Sequence, residues 1–175
     1  MKDLLIVDGY NIIHAWKPLK KLAAASLEHA RDKLVDMLAG YGKSKGFLLL
    51  IVFDAMYTEE AEKSTKIGND CKVLFTDKEE TADSCIERIV YDHRNDKRNI
   101  YVATSDGPEQ NQILGAGAYR IPARELAEDV ERVRKETARY EHDNVLEHSH
   151  GRNEVVYRVR NEDVLAKLEK IRRSK

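Results

Sequence analysis

The chain has 175 residues, 42% hydrophobic and 35% charged, a length that suits one compact domain with a full core and a composition that excludes a disordered chain. Its 30 Lys and Arg against 31 Asp and Glu leave a net charge of −1, so the molecule as a whole is no polycation made for indiscriminate polyanion binding. No apolar run reaches the roughly 20 residues that cross a bilayer, no signal-peptide pattern precedes the first strand, and Cys71 and Cys85 lack CxxC spacing within apolar patterns, so a cytoplasmic chain with reduced, buried thiols is expected.

Taken in chain order, apolar runs of strand length occur at Leu4 to Val7, Phe47 to Phe53, Lys72 to Phe75, Ile100 to Ala103 and Ala118 to Ile121. Most show no period-2 alternation, which implies a sheet covered on both faces. Helical patterns lie between them, at about Leu19 to Ala39, Lys78 to His93, Pro108 to Leu114 and Pro122 to Tyr140. Glycines 40, 42 and 46 are expected to end the first, Asp77 with Glu80 to cap the second as a capping box, and Pro122 to stand in the first turn of the last. Glu141 to Arg152 reads as a loop, Glu154 to Val159 as a possible strand, and Glu162 to Arg173 as a closing amphipathic helix. Strand and helix alternate throughout. The expected architecture is a single α/β domain, 1–175, built on a doubly wound, mainly parallel twisted sheet, with 141–160 a variable segment and 161–175 a basic C-terminal helix.

Three strands run straight into aspartate: Val7-Asp8-Gly9-Tyr10-Asn11, Phe53-Asp54-Ala55 and Thr104-Ser105-Asp106-Gly107. Ligands of open parallel sheets bind beyond the carboxyl ends of the strands, so Asp8, Asp54 and Asp106 are expected at one crevice. Glu80, Asp83 and Glu87 share a helical face after the third strand, which brings Asp83 to the same crevice with Glu80 nearby. Crowded carboxylates repel one another unless a cation neutralises them, and an all-oxygen donor set favours Mg2+ or Mn2+, so Asp8, Asp54, Glu80, Asp83 and Asp106 are the expected metal ligands. Each acid also has an ordinary alternative as a turn, a helix cap or a solvated side chain.

The residues Leu5-Ile6-Val7-Asp8-Gly9-Tyr10-Asn11, Val52-Phe53-Asp54-Ala55, Thr81-Ala82-Asp83 with Ile86-Glu87, and Val102-Ala103-Thr104-Ser105-Asp106 together resemble the NYN-domain group of the PIN-like nucleases, and its bacterial YacP branch most closely. The likeness extends to Ala123-Arg124-Glu125-Leu126 and to the closing Leu168 to Arg173. What this resemblance implies is a PIN-like three-layer α/β/α fold and a Mg2+- or Mn2+-dependent endoribonuclease. It also implies Asp8 and Asp83 as leading catalytic metal ligands, Asp106 completing them, Asp54 at a family acidic position, and Asn11 and Ser105 positioning ligands or the scissile phosphate. The branch further implies mRNA cleavage in association with the ribosome.

Between Arg152 and Lys175, eight Lys or Arg stand against four acids. Lys170, Arg172 and Arg173 are therefore candidates for phosphate contacts, or simply the solvated face of the last helix. Tyr10, Trp16 and Tyr57 stand near strand ends, where they would either stack on unpaired bases or belong to the core. Gly42-Lys43-Ser44 follows a helix and lacks the earlier glycine of a P-loop, so no nucleotide cofactor is expected, and His142, His148 and His150 read as a solvated loop rather than a zinc site. Two rivals differ in class. A catalytically idle RNA- or ribosome-binding module would bind RNA without cutting it. A phosphoryl-transfer domain would carry Asp-x-Asp at the first strand, where Asp8-Gly9-Tyr10 stands.

Overall fold

The structure, a computed structural model, describes residues 1–57, 64–105 and 117–141. Two compact units divide the chain, Met1–Arg134 and Lys135–Lys175. Of the second, residues 135–141 are described and are helical. The expected elements at Pro108 to Leu114, Glu154 to Val159 and Glu162 to Arg173, and most of the loop from Glu141 to Arg152, lie outside the described residues.

In the first unit the strands are β1 (Leu4–Asp8), β2 (Leu48–Phe53), β3 (Ser64–Ile67), β4 (Cys71–Phe75), β5 (Ile100–Thr104) and β6 (Tyr119–Pro122). The helices are α1 (Gly9–Ala15), α2 (Lys17–Ala25), α3 (Leu27–Lys45), α4 (Ala82–His93) and α5 (123–134). One sheet takes all six strands in the order β3-β4-β2-β1-β5-β6. Every pairing is parallel except β3 with β4.

Alternation of side chains along the strands sorts the apolar residues onto two faces. Leu5, Val7, Leu49, Ile51, Phe53, Val73 and Phe75 join the buried residues of α1, α2, α3 and α5 in one core, whereas Leu4, Ile6, Val52, Ile100 and Val102 pack with Ala82, Cys85, Ile86 and Val90 of α4 in the other. Helices thus cover both sides of the sheet, as the continuous apolar strands require. Both cysteines are free and buried, and burial pushes both thiols up. No helix among the described residues is long and apolar enough to cross a membrane.

Several local features depart from the sequence reading. The first long helical pattern is two helices, because the Ser26 hydroxyl accepts from the His29 backbone N–H at 3.2 Å and starts a new helix there. Gly40 and Gly42 stay inside α3, and only Gly46, at φ +75°, ends it. Pro122 closes β6 opposite Thr104 rather than opening a helix. The helix after β4 begins at Ala82, four residues later than Lys78, with Thr81 and not Asp77 as its cap, while Asp77 and Glu80 form a backbone turn.

Candidate active site

Parallel register aligns the strand ends that matter. Asp8 is level with Val52 of β2, and Val7 with Ala103 of β5, so Asp54 and Ser105 lie just beyond Asp8 on its two neighbouring strands. The chain moves to one side of β1 for β2 and β4 and to the other for β5 and β6, which makes this edge the crevice where strand order reverses.

Asp8 is both the last residue of β1 and the N-cap of α1. Its Oδ1 accepts from the Asn11 backbone N–H at 3.3 Å, and its Oδ2 accepts from the Asn11 side-chain amide at 2.8 Å. The carboxylate is therefore fixed by Asn11, a contact within one turn that the sequence analysis did not anticipate. Asp8 is only 4% exposed, and its pKa is raised from 3.8 to about 6. Burial is the main cause. The bonds from Asn11 oppose it, and the neighbouring Asp83 reinforces it through repulsion and a side-chain hydrogen bond.

Asp83 arrives from the opposite side of the sheet, in the first turn of α4. Thr81 sets that turn by accepting from the Ser84 N–H at 3.2 Å, while its hydroxyl reaches the Ser84 oxygen at 3.0 Å. Thr81→Ala is expected to cost about 1 kcal/mol in urea unfolding, and Thr81→Ser to restore most of it, because only the hydroxyl serves as the cap.

The other expected acids are held differently. Asp54 Oδ1 accepts from the Met56 N–H at 2.9 Å, an Asx turn beyond β2. Glu80 takes both Nε and Nη2 of Arg88, at 3.1 and 2.9 Å, so its carboxylate is engaged by a guanidinium. Among the described residues no three His, Cys, Asp or Glu side chains gather into a metal-holding group, and the acids brought together are Asp8 and Asp83. Ser105 follows β5, and its carbonyl accepts from Arg120 Nη2 at 3.1 Å. Asp106, Lys170, Arg172 and Arg173 lie outside the described residues.

Of the aromatics considered for base stacking, Tyr10 and Trp16 belong to the core, each 6% exposed. The Trp16 indole N–H donates to the Ala123 carbonyl at 2.8 Å, and the Tyr10 ring meets Phe53 edge-on at 5.0 Å. Tyr57 ends the short 3-10 turn at Ala55–Tyr57. Arg31, which the sequence reading passed over, is 8% exposed on α3, donates to the Tyr10 hydroxyl at 3.1 Å and places its guanidinium 5.8 Å from the Phe75 ring centroid. It ties α3 to the first turn of α1, next to Asp8. The available signal was an arginine beside Ala30 on a face continued by Leu34, Val35 and Leu38.

An all-oxygen set with two adjoining carboxylates, one of them pushed towards the protonated form, suits a hard divalent cation, which would replace the proton that relieves their repulsion. Asp8 and Asp83 are the described residues that would hold it.

Comparison with known proteins identifies the family. The profile of the YacP-like NYN domain matches residues 5–173. The uncharacterized protein YacP of Bacillus subtilis (strain 168) is 43% identical over 137 residues, 78% of this chain and 80% of that protein. The crystal structure of Rae1 (YacP) from Bacillus subtilis superposes with a TM-score of 0.75 at 40% identity, over 98% of this chain and 95% of that one. A mutant of the same protein gives 0.67 at 42% identity over 78% and 79%. This chain therefore belongs to the YacP-like NYN-domain family and has its nuclease-like fold.

Proposed function

We propose that this protein is a cytoplasmic, Mg2+- or Mn2+-dependent endoribonuclease that hydrolyses RNA phosphodiester bonds, with mRNA on the ribosome as its substrate. The observation that carries the reading is the pairing of buried Asp8 with Asp83 at the switch point of the sheet, with Asn11 fixing the Asp8 carboxylate. A binding module gains nothing from two unneutralised acids in a cleft meant for a polyanion. The family supplies the nuclease-like fold, and the ribosome enters through the likeness to the YacP branch.

When bound, a divalent cation supplies an activated water and neutralises charge on the phosphate and the leaving oxygen. Asp8 and Asp83 hold the site's negative charge in place, and the Asn11 amide keeps Asp8 from rotating. Ser105 is the proposed contact to the scissile phosphate, carried by a backbone that Arg120 anchors through the Ser105 carbonyl. Asp106 is proposed as a further ligand, Asp54 and Glu80 as outlying acids, and Lys170, Arg172 and Arg173 as phosphate contacts.

The test is cleavage of mRNA in a translating extract with Mg2+ or Mn2+, with the new ends mapped for wild type, Asp8→Asn and Asp83→Asn. Cuts should appear with wild type alone and vanish with chelator. Identical end maps for all three proteins would overturn the nuclease reading in favour of an RNA- or ribosome-binding module. Repeating the assay on naked RNA separates the substrate from the positioning that the ribosome provides.

A further inference from the structure

The sheet face that carries α4 is only partly covered by it. Leu48, Leu50, Leu74 and Ile89 remain half-buried beside the α4 core and, with Leu4, floor a cavity of about 410 Å3. Its rim carries Lys66, Lys72, His93 and Arg98 together with one acid, Asp70. The cavity lies along the beginnings of β1, β2 and β4, at the end of the sheet away from Asp8.

Charge on this rim is unbalanced in a specific way. Lys66 of β3 and Lys72 of β4 are direct cross-strand partners, both exposed, and a like-charged pair in that register disfavours the hairpin. The nearby acids are already engaged. Asp70 pairs with Lys2 at 2.5 Å, and Asp96 lies 3.0 Å from both His93 Nδ1 and Arg98 Nε, the latter an ion pair without hydrogen-bond alignment. Among the described residues no carboxylate pairs with Lys66 or Lys72.

We propose that this face is a docking surface for an acidic, leucine-rich segment of a partner protein, whose apolar side chains enter the cavity while its carboxylates meet Lys66 and Lys72. Charge complementarity requires an anionic partner, and two further observations favour polypeptide over RNA. The cavity is floored by leucine and isoleucine and among the described residues is lined by no Phe, Tyr or Trp, so these residues offer no aromatic platform on which bases stack. It also adjoins β3, the outermost strand of the described sheet, and such an edge offers a backbone ladder that an extended peptide can complete. The surface does not depend on the proposed cleavage chemistry, since it shares no residue with the Asp8 crevice.

The experiment uses the full chain and a fluorescein-labelled peptide of alternating leucine and glutamate, read by anisotropy at low and moderate salt. Saturable binding is expected, weakened about tenfold or more by Lys66→Gln/Lys72→Gln and further by Lys66→Glu/Lys72→Glu, with thermal unfolding checking that each variant is folded. Unlabelled single-stranded RNA of equal charge should not displace the peptide. Equal affinity for wild type and variants, tighter binding of RNA at this face, or protection of Lys72 from acetylation by residues 142–175 or by a second copy of the chain would each overturn the proposal. RNA cleavage should be unchanged in both double variants on naked RNA, so failure of the docking proposal and of the nuclease reading are read separately.

Discussion

Asp8→Asn is expected to be more stable than the wild type by about 2 kcal/mol at pH 7.5 without metal, and no more stable than it near pH 4. Folding raises the Asp8 pKa from 3.8 to about 6, so the folded state binds a proton that the unfolded chain has already released. The contribution of neutral Asp8 is fully present below pH 3.8 and is lost as the pH rises through about 6. A rise of that size corresponds to about 3 kcal/mol of destabilisation once the carboxylate is ionised. With Asp8 only 4% exposed, solvent screening removes little of it. The substitution keeps an oxygen that can cap α1, and Asn is as good a cap as Asp, so the loss is confined to part of the charge-assisted bond from Asn11. Urea unfolding at both pH values checks the crossover. Millimolar Mg2+ should raise the wild-type melting temperature at pH 7.5 and leave the variant unmoved, reversing their order. A wild type that does not lose stability between pH 4 and 6 relative to the variant would sink this account of Asp8.

The second large effect belongs to a residue with no functional group. Gly9 opens α1, and a Cβ there would be driven into the Phe53 ring, against Cδ1, Cε1 and Cζ. That ring cannot step aside, being fully buried, stacked 5.6 Å from Phe75 and met edge-on by Tyr10. Gly9→Ala is expected to destabilise the protein by about 2 to 3 kcal/mol, because overpacking of this kind outweighs the roughly 1 kcal/mol that alanine contributes inside a helix. The least costly relief is a shift of α1 off β2, which would carry Asp8 and Asn11 with it. Activity should therefore fall more steeply than stability. In a Phe53→Leu background the penalty should drop below about 1 kcal/mol, a coupling that a double-mutant cycle reads directly. Additive effects would show that the contact is not the cause.

Gly9 shows where reading the sequence stops. The apolar runs of β1, β2, β4 and β5 were legible because strands covered on both faces carry an unbroken hydrophobic signal, and the acid after each of three of them followed from the chemistry of sheet edges. Asp8-Gly9 was readable as a turn, but not as a seat for the ring of Phe53, which is a contact between residues far apart in the chain. β3 carried no signal at all, since Ser64–Ile67 is exposed at every position and becomes a strand only by pairing with β4 across the Gly68 turn. Tyr10 and Trp16 were ambiguous because a polar tip on an aromatic body suits both a core and a binding face, and only the partners found at Arg31 and Ala123 decide between them. Among the acids, spacing placed Asp83 and Glu80 on one helix face, but Arg88 takes Glu80 and leaves Asp83 to Asp8.

The strand order also sets when the crevice can exist. β1 is made before every other strand of the described sheet yet lies in its middle, and one of its two flanking strands, β5, follows about half the chain later. During synthesis β1 can pair with β2 while its other side and the Asp8 edge stay unfinished. Closure waits for a contact of long sequence separation, the slow kind in folding. A nascent chain interrupted before β5 would therefore carry the Asp8 motif without the strand end that leads to Ser105, so the crevice is completed by closure of the sheet and not by the appearance of its first aspartate.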